Sequence, residues 1–360
     1  MLRPTLTSLF LSLPAISLAE TPRVVADIAP VHSLVAQVMG DLGTPDLLVT
    51  GSASPHSFSL RPSQAHALEQ ADLVIFVAED LTSWLEPVLD RVASKAEHLE
   101  LLHLPQTQTL DFRTGVTFAA HDHADHEEHK EHEGHDDHAG HDDHKEHEGH
   151  DDHAGHDDHK EHEGHDDHAG HDDHKEHEGH DDHAGHDDHN HDGVDPHAWL
   201  NPDNASAWLD VIASELSEHD PANAAAYAAN AKAAKERLAA TVVEVENILT
   251  PAKGKNFIVF HDAYHYFEAR FGIEARAAIS ISDASSPGPA RVEEIQKQVH
   301  ELKVTCAFSE PQFSDGLVNT VLDGTDANTA ILDPLGASLK NGADLYGKLL
   351  VNMATAIADC

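Results

Sequence analysis

A run of histidine and acidic residues divides the chain into two parts that have to fold around it. The 15-residue unit EHEGHDDHAGHDDHK first occupies residues 131–145 and then recurs three times, the last copy ending in Asn190. Residues 120–192 contain 25 of the 35 histidines, 29 aspartates and glutamates, and no apolar residue larger than alanine. Because such a segment cannot bury enough apolar surface to form a core, we expect it to be disordered without metal.

The net charge of the chain limits which molecules it is expected to bind. The formal net charge is −43, and residues 120–192 supply −25 of it through 29 carboxylates and four lysines. Nucleic acids and anionic membrane surfaces are bound through lysine and arginine, so this balance argues against both. Cations and small molecules suit such a chain better.

The first residues predict export. Arg3 gives a short basic start, residues 6–18 are apolar but too few to span a bilayer comfortably, and Ser17 and Ala19 are small residues at a cleavage site. We therefore predict a signal peptide over residues 1–19 and a soluble mature protein, with an uncleaved anchor as the alternative.

The two cysteines, Cys306 and Cys360, bear on the same question of compartment. In an oxidising compartment such a pair most simply forms a disulfide. A redox pair or a pair of metal ligands is the alternative, and it is less well supported because there is no C-x-x-C spacing.

Outside the histidine-rich run, short apolar segments alternate with helical ones, which predicts an α/β fold with largely parallel sheets. The predicted strands cover residues 23–28, 47–50, 72–78, 99–102, 256–260, 274–279, 304–308 and 329–332. The predicted helices cover residues 31–39, 62–70, 81–96, 203–215, 221–248, 263–271 and 289–300, followed by a last helix towards Cys360.

These elements predict two βα-repeat lobes. Residues 20–220 form the N-terminal lobe, with residues 120–192 as an insertion, and residues 251–360 form the C-terminal lobe. Residues 221–250 are rich in alanine and predict one long helix that joins the lobes.

Four potential metal ligands lie at or near the carboxyl ends of predicted strands or beside the insertion: His56, His197, His261 and Asp333. Ligands of open α/β sheets bind outside the carboxyl ends of the strands, so these side chains could converge on the cleft between the lobes. Three imidazoles and one carboxylate suit a tetrahedral Zn²⁺. Each histidine taken singly could instead have a structural role.

Several segments resemble the metal-binding solute receptors of ABC-type importers, and most closely the ZnuA-like zinc receptors. They are SPHSFSLRPSQAHALEQADLVIF, DPHAWLNPDN, VFHDAYHYFEARFGI, SEPQF and ILDPLG. The resemblance covers residues 23–360 apart from the insertion. It implies two α/β lobes joined by one rigid helix, with the metal between them.

The resemblance also implies the ligands and the partners. The family's metal ligands fall on His56, His197, His261 and Asp333, and its manganese receptors usually carry glutamate at the position of His261. Some zinc receptors have glutamate before the first histidine, where this chain has Pro55, so the fourth ligand is either Asp333 or water. The family further implies a periplasmic location, a disulfide in the C-terminal lobe, and delivery to a permease with a cytoplasmic ATPase.

The sequence thus predicts a periplasmic zinc receptor that acts as a monomer and is not an enzyme. The histidine-rich insertion would gather or buffer zinc for the cleft site. The alternatives are a receptor for manganese or another divalent metal, or a zinc store or adhesin built on the repeats. A zinc hydrolase is less well supported because no H-E-x-x-H motif is present. His265 and Glu310 are weaker candidates for a place beside the metal.

Overall fold

The computed structural model describes residues 21–113, 118, 193–280 and 287–360. The predicted signal peptide, residues 1–19, and the whole of the predicted insertion, residues 120–192, lie outside the described residues.

Two four-stranded sheets, in which every paired neighbour is parallel, form the framework. The strand orders are β2-β1-β3-β4 and β6-β5-β7-β8, so both sheets have the same topology. The strands are β1 (Val24–Ala26), β2 (Asp46–Leu47), β3 (Leu73–Phe76), β4 (Glu97–Glu100), β5 (Phe257–His261), β6 (Ala278–Ser280), β7 (Cys306–Ser309) and β8 (Asn328–Ile331). In each sheet, successive strands are added first on one side and then on the other, and this strand order reverses between the two central strands. Open α/β sheets bind their ligands at that point.

Helices connect the strands, as parallel pairing requires. Those of the described residues are α1 (Ala29–Met39), α2 (Pro62–Glu69), α3 (Glu86–Val92), α4 (Pro202–His219), α5 (Ala224–Leu249), α6 (His265–Phe271), α7 (Pro289–Glu301), α8 (Gly316–Val321) and α9 (Leu345–Asp359). The α/β fold with two parallel sheets is confirmed. None of these helices is long and apolar enough to cross a membrane.

Successive residues of the central strands face different apolar clusters, as the two-residue period of a strand requires. Val24 of β1 packs into the largest cluster, and Val25 packs into a second one beneath α2 and α3. Phe257 of β5 joins the largest cluster, whereas Ile258 faces a third one with α7 and α8. Both sheets are therefore covered on both faces.

The long alanine-rich helix α5 lies in the largest cluster together with α1, α4 and α9. That cluster contains strand residues of both sheets, so one apolar core continues across the two halves of the described chain. The lobe boundaries at residues 220 and 250 stay a prediction. The helix itself begins at Ala224, after a 3-10 turn over Pro221–Asn223, rather than at residue 221.

Several elements differ from the sequence-based expectation. Strands β2 and β4 both lie towards the amino side of the predicted residues 47–50 and 99–102. The predicted helix over 81–96 is shorter, because α3 starts at Glu86 with Pro87 in its first turn, where proline is favoured. Strand β6 is displaced towards the carboxyl side of residues 274–279. Helix α8 was not predicted, because its six residues GLVNTV include few strong helix formers; packing of Val318 and Val321 holds it in place.

The predicted disulfide between Cys306 and Cys360 is confirmed, with 5.8 Å between the Cα atoms. It joins the first residue of β7 to the residue that follows α9.

Candidate metal centre

Three histidines from separate parts of the chain come together outside the carboxyl ends of the strands. His56 lies in the loop between β2 and α2, His197 precedes a 3-10 turn over Ala198–Leu200, and His261 is the last residue of β5. One potential ligand atom of each lies within 4.8 Å of the other two. The ring centroids are 5.3 Å apart for His197 and His261, and 5.6 and 6.5 Å from His56 to these two.

His261 is held by a carboxylate from the neighbouring strand of its sheet. Its Nδ1 lies 2.6 Å from Oε1 of Glu310, which directly follows β7 and is 2 % exposed. Strands β5 and β7 are the two central strands, so this pair occupies the point where the strand order reverses. Because Nδ1 is engaged, Nε2 is the nitrogen that can coordinate a metal.

His197 has a corresponding carboxylate two residues earlier in the chain. Oδ1 of Asp195 accepts a hydrogen bond from the backbone amide of His197 at 2.9 Å and lies 2.7 Å from its Nδ1. Both side chains are buried. Burial and the nearby Asp262 carboxylate raise the pKa of Asp195 to about 8, while the His197 amide, His265 and Arg113 lower it. A cation on His197 would favour the ionised carboxylate.

His56 is the most exposed of the three and is only half-buried. The residue before it is fixed from the side of α3, because the indole Nε1 of Trp84 donates a hydrogen bond to the carbonyl oxygen of Pro55 at 2.7 Å. The backbone amide of His56 donates to Oγ of Ser54 at 3.2 Å. Pro55 therefore helps to set the loop in which the first histidine lies.

The histidines line a cavity of about 10 Å³. That volume is comparable to a single water molecule, so the cavity fits one ion. Trp199 closes part of it and links two segments, because its Nε1 donates to the carbonyl oxygen of Pro334 at 2.9 Å. Gln312 also lines the cavity, and both polar atoms of its side chain are buried with no hydrogen-bond partner among the described residues.

Asp333 is not in the group whose ligand atoms lie within 4.8 Å of one another. Its Oδ1 accepts hydrogen bonds from the backbone amides of Leu335 at 3.1 Å and Gly336 at 2.9 Å. These bonds stabilise the turn that carries Pro334 to the cavity. The role of Asp333 as fourth ligand stays a prediction.

His265, the first residue of α6, is also outside this group. Its Nδ1 is 3.9 Å from Oδ2 of Asp195, so it faces the carboxylate behind His197. Burial and the Arg113 charge lower the pKa of His265.

The donor set decides what this centre can bind. Neutral imidazoles suit Zn²⁺, Cu²⁺ and Ni²⁺, whereas oxygen-rich sites suit Mn²⁺, Mg²⁺ and Ca²⁺. Three imidazoles leave one position of a tetrahedral Zn²⁺ for a further donor. The carboxylates behind His197 and His261 fix the ring orientation and make the coordinating nitrogen more basic.

A protein-family model described as "Zinc-uptake complex component A periplasmic" (ZnuA) matches residues 24–360. The chain belongs to this family. Among curated ZnuA relatives, each named a high-affinity zinc uptake system protein, that of Paracoccus denitrificans is 45 % identical and aligns over 100 % of this chain and 99 % of its own length. That of Brucella abortus is 43 % identical over 95 % of this chain and 92 % of its own length.

Solved structures show the same fold. A crystal structure of ZnuA is 20 % identical to this chain, with a TM-score of 0.64, and the match covers 94 % of this chain and 99 % of that one. A ZnuA deletion mutant with zinc bound is 20 % identical, with a TM-score of 0.65, over 94 % and 97 % of the two chains. The resemblance of this chain to the ZnuA-like receptors is confirmed.

The sequence predicts only part of the centre of this ZnuA-family chain. Asp195 is not among the predicted site residues, although an aspartate two residues before a histidine favours the local turn seen here. Glu310 and Gln312 both lie in the segment SEPQF, which carries part of the resemblance, but only Glu310 is predicted as a candidate beside the metal. Their place next to the histidines depends on contacts with other strands, which no local pattern specifies.

Proposed function

We propose that this chain captures Zn²⁺ in the periplasm and delivers it to the membrane permease and cytoplasmic ATPase of an ABC importer. The observation that carries the proposal is the convergence of His56, His197 and His261 within 4.8 Å. Family membership over residues 24–360 supports the transport role. In this proposal the receptor acts as a monomer and has no nucleic-acid partner.

The donor chemistry supports zinc over manganese. All three converging donors are imidazoles, and the carboxylates of Asp195 and Glu310 face Nδ1 atoms. A manganese site would need oxygen donors among the ligands. Copper should bind at least as tightly as zinc in vitro, because divalent affinities usually follow that order.

A binding role is better supported than an enzymatic one. A zinc hydrolase needs an open metal position with space for a substrate and a general base beside the bound water. The cavity here has a volume of only about 10 Å³. Asp195 and Glu310 are hydrogen-bonded to the candidate ligands, so they act on the imidazoles.

The histidine-rich run would serve this site as an accessory. The run contains 25 histidines, and a model imidazole, with a reference pKa of about 6.5, is mostly neutral near pH 7 and able to bind metal. Many similar sites bind more weakly than one preorganised centre. In this proposal the run gathers or buffers zinc and the three-histidine centre holds it.

A zinc titration against a competing chelator tests the central claim. The protein should lack residues 121–191, so that the repeats do not contribute to the count. We expect one tight site, lost in His197→Ala and kept in His66→Ala, whose exposed histidine lies on α2. A folded protein without a tight site would refute the proposal, and it would favour a zinc store or adhesin built on the repeats.

A further inference from the structure

We propose that Arg113 is a positioning residue for the metal centre, because it holds the two segments that carry His197 and His261 in fixed relation. The inference rests on the proposed zinc site and adds a part of the chain that contacts no ligand atom. Arg113 ends residues 110–113, which we call the clasp.

Arg113 contacts the segment that carries His261. The guanidinium Nε of Arg113 lies 3.1 and 3.0 Å from the two carboxylate oxygens of Asp262, and Nη2 also contacts Asp262. Its Nη1 donates to Oε2 of Glu268 on α6 at 2.6 Å. Asp262 directly follows His261, so the guanidinium bridges the end of β5 and α6.

These contacts are well shielded from water. The side chains of Arg113, Asp262 and Glu268 are 13 %, 8 % and 2 % exposed. A planar guanidinium that meets a carboxylate through two nitrogens restricts its rotation, which a single ammonium group does not. The geometry therefore fixes the backbone immediately after His261.

The clasp also pairs with the segment that leads to His197. The backbone amide of Asp195 donates to the carbonyl oxygen of Leu110 at 2.8 Å, and that of Phe112 donates to Gly193 at 3.1 Å. Asp111 and Val194 form an antiparallel bridge between these bonds. Asp195 in turn holds the imidazole of His197.

Tyr266 of α6 closes the connection. Its hydroxyl donates to the backbone carbonyl of Asp195 at 2.8 Å and accepts from the backbone amide of Leu110 at 2.9 Å. The clasp, the segment before His197 and the start of α6 thus form one hydrogen-bonded unit. That unit sets the 5.3 Å separation between the rings of His197 and His261.

Removal of the guanidinium should release one side of this unit. Asp262 and Glu268 would then be buried carboxylates without a counter-charge, and they would move towards water. Because Asp262 adjoins His261, its displacement would misplace the imidazole. Loss of a residue that supports a metal ligand typically lowers affinity by about 10- to 100-fold.

The test compares zinc affinity in three full-length variants by chelator competition, read out by tryptophan emission. That signal reports on the centre, because the Trp199 ring is 5.2 Å from the His197 ring and the repeats contain no tryptophan. Arg113→Met should bind zinc about 10- to 100-fold more weakly. Arg270→Met is the matched control, since Arg270 also pairs with two carboxylates, those of Asp203 and Glu246, and its affinity should equal that of the unaltered protein.

Arg113→Lys covers the case in which the methionine variant fails to fold. It keeps the charge but lacks the planar fork, so we expect a folded protein with weakened affinity. The visible spectrum of bound Co²⁺ should shift in this variant, because the ligand geometry changes, and should not shift in Arg270→Met.

Failure of the proposed function and failure of the role of Arg113 give different results. Absence of a tight site in the unaltered protein would refute the proposed function. Unaltered affinity in folded Arg113→Met, or unaltered affinity and Co²⁺ spectrum in Arg113→Lys, would overturn the role of Arg113 and leave the zinc site standing.

Discussion

At the scale of single residues, the nitrogen that each buried histidine offers to the cavity is determined by the carboxylate on its other side. Asp195 engages Nδ1 of His197, and Glu310 engages Nδ1 of His261. Both carboxylates are almost fully buried, so they act in an environment with little screening by water. The imidazoles are therefore oriented before any metal arrives.

Substitution of Glu310 tests that orientation. In Glu310→Gln the side chain still reaches His261 but loses the negative charge that makes Nε2 more basic, so zinc affinity should fall by about 10- to 100-fold. Chelator competition measures the change. Glu301→Gln, at the exposed end of α7, is the control and should leave affinity unaltered. An equal affinity in both variants would mean that the carboxylate behind His261 does not contribute.

Gln312 is a second residue whose substitution should lower zinc affinity. A buried amide without a partner is costly, and it lines the cavity where three imidazoles leave one zinc position to fill. We expect Gln312→Leu to lower zinc affinity about tenfold, the value of one hydrogen bond of about 1.4 kcal/mol to the fourth donor. Asp333→Asn is the comparison variant, because Asp333 is the other candidate for the fourth zinc position. A more stable Gln312→Leu protein with unaltered affinity would show that the amide plays no part in binding.

At the scale of elements, the sequence was most informative where one local pattern specifies an element. The apolar run NFIVF at residues 256–260 predicted a strand with His261 at its carboxyl end, and the structure has β5 over Phe257–His261. The pairing of His261 with Glu310 joins residues 49 positions apart, so no local pattern could reveal it. The same holds for Arg113, which is 149 positions from Asp262.

The disulfide ties β7 to the end of α9, and its removal should destabilise the fold. Cys306 and Cys360 are 54 positions apart, and closing a loop of that length stabilises the fold by about 4 kcal/mol in the chain-entropy model. Urea unfolding of Cys360→Ser should show a loss of this size. Zinc affinity should stay the same, because Cys306 lies at the opposite end of β7 from Glu310. A loss below about 1 kcal/mol would contradict the expectation.

At the scale of the whole molecule, one apolar cluster runs through α1, α4, α5 and α9 and includes strands of both sheets. Separating the two sheets widely would expose this surface, and burial of apolar surface is the main favourable term in folding. Release of zinc is therefore easier by rearrangement of loops, such as the one that carries His56, than by opening of the core.

Removal of residues 121–191 tests whether the histidine-rich run gathers zinc while the three-histidine centre binds it tightly. The three histidines and their carboxylates all lie outside the deleted range, so the tight site should keep its affinity while the total zinc bound per chain falls. Uptake at scarce zinc should also fall, because a store of imidazoles tethered in the same chain raises the local zinc concentration. The control is a chain of equal length in which these histidines are replaced by serine, and it should behave like the deletion. Unaltered uptake in both would assign the run no part in gathering zinc.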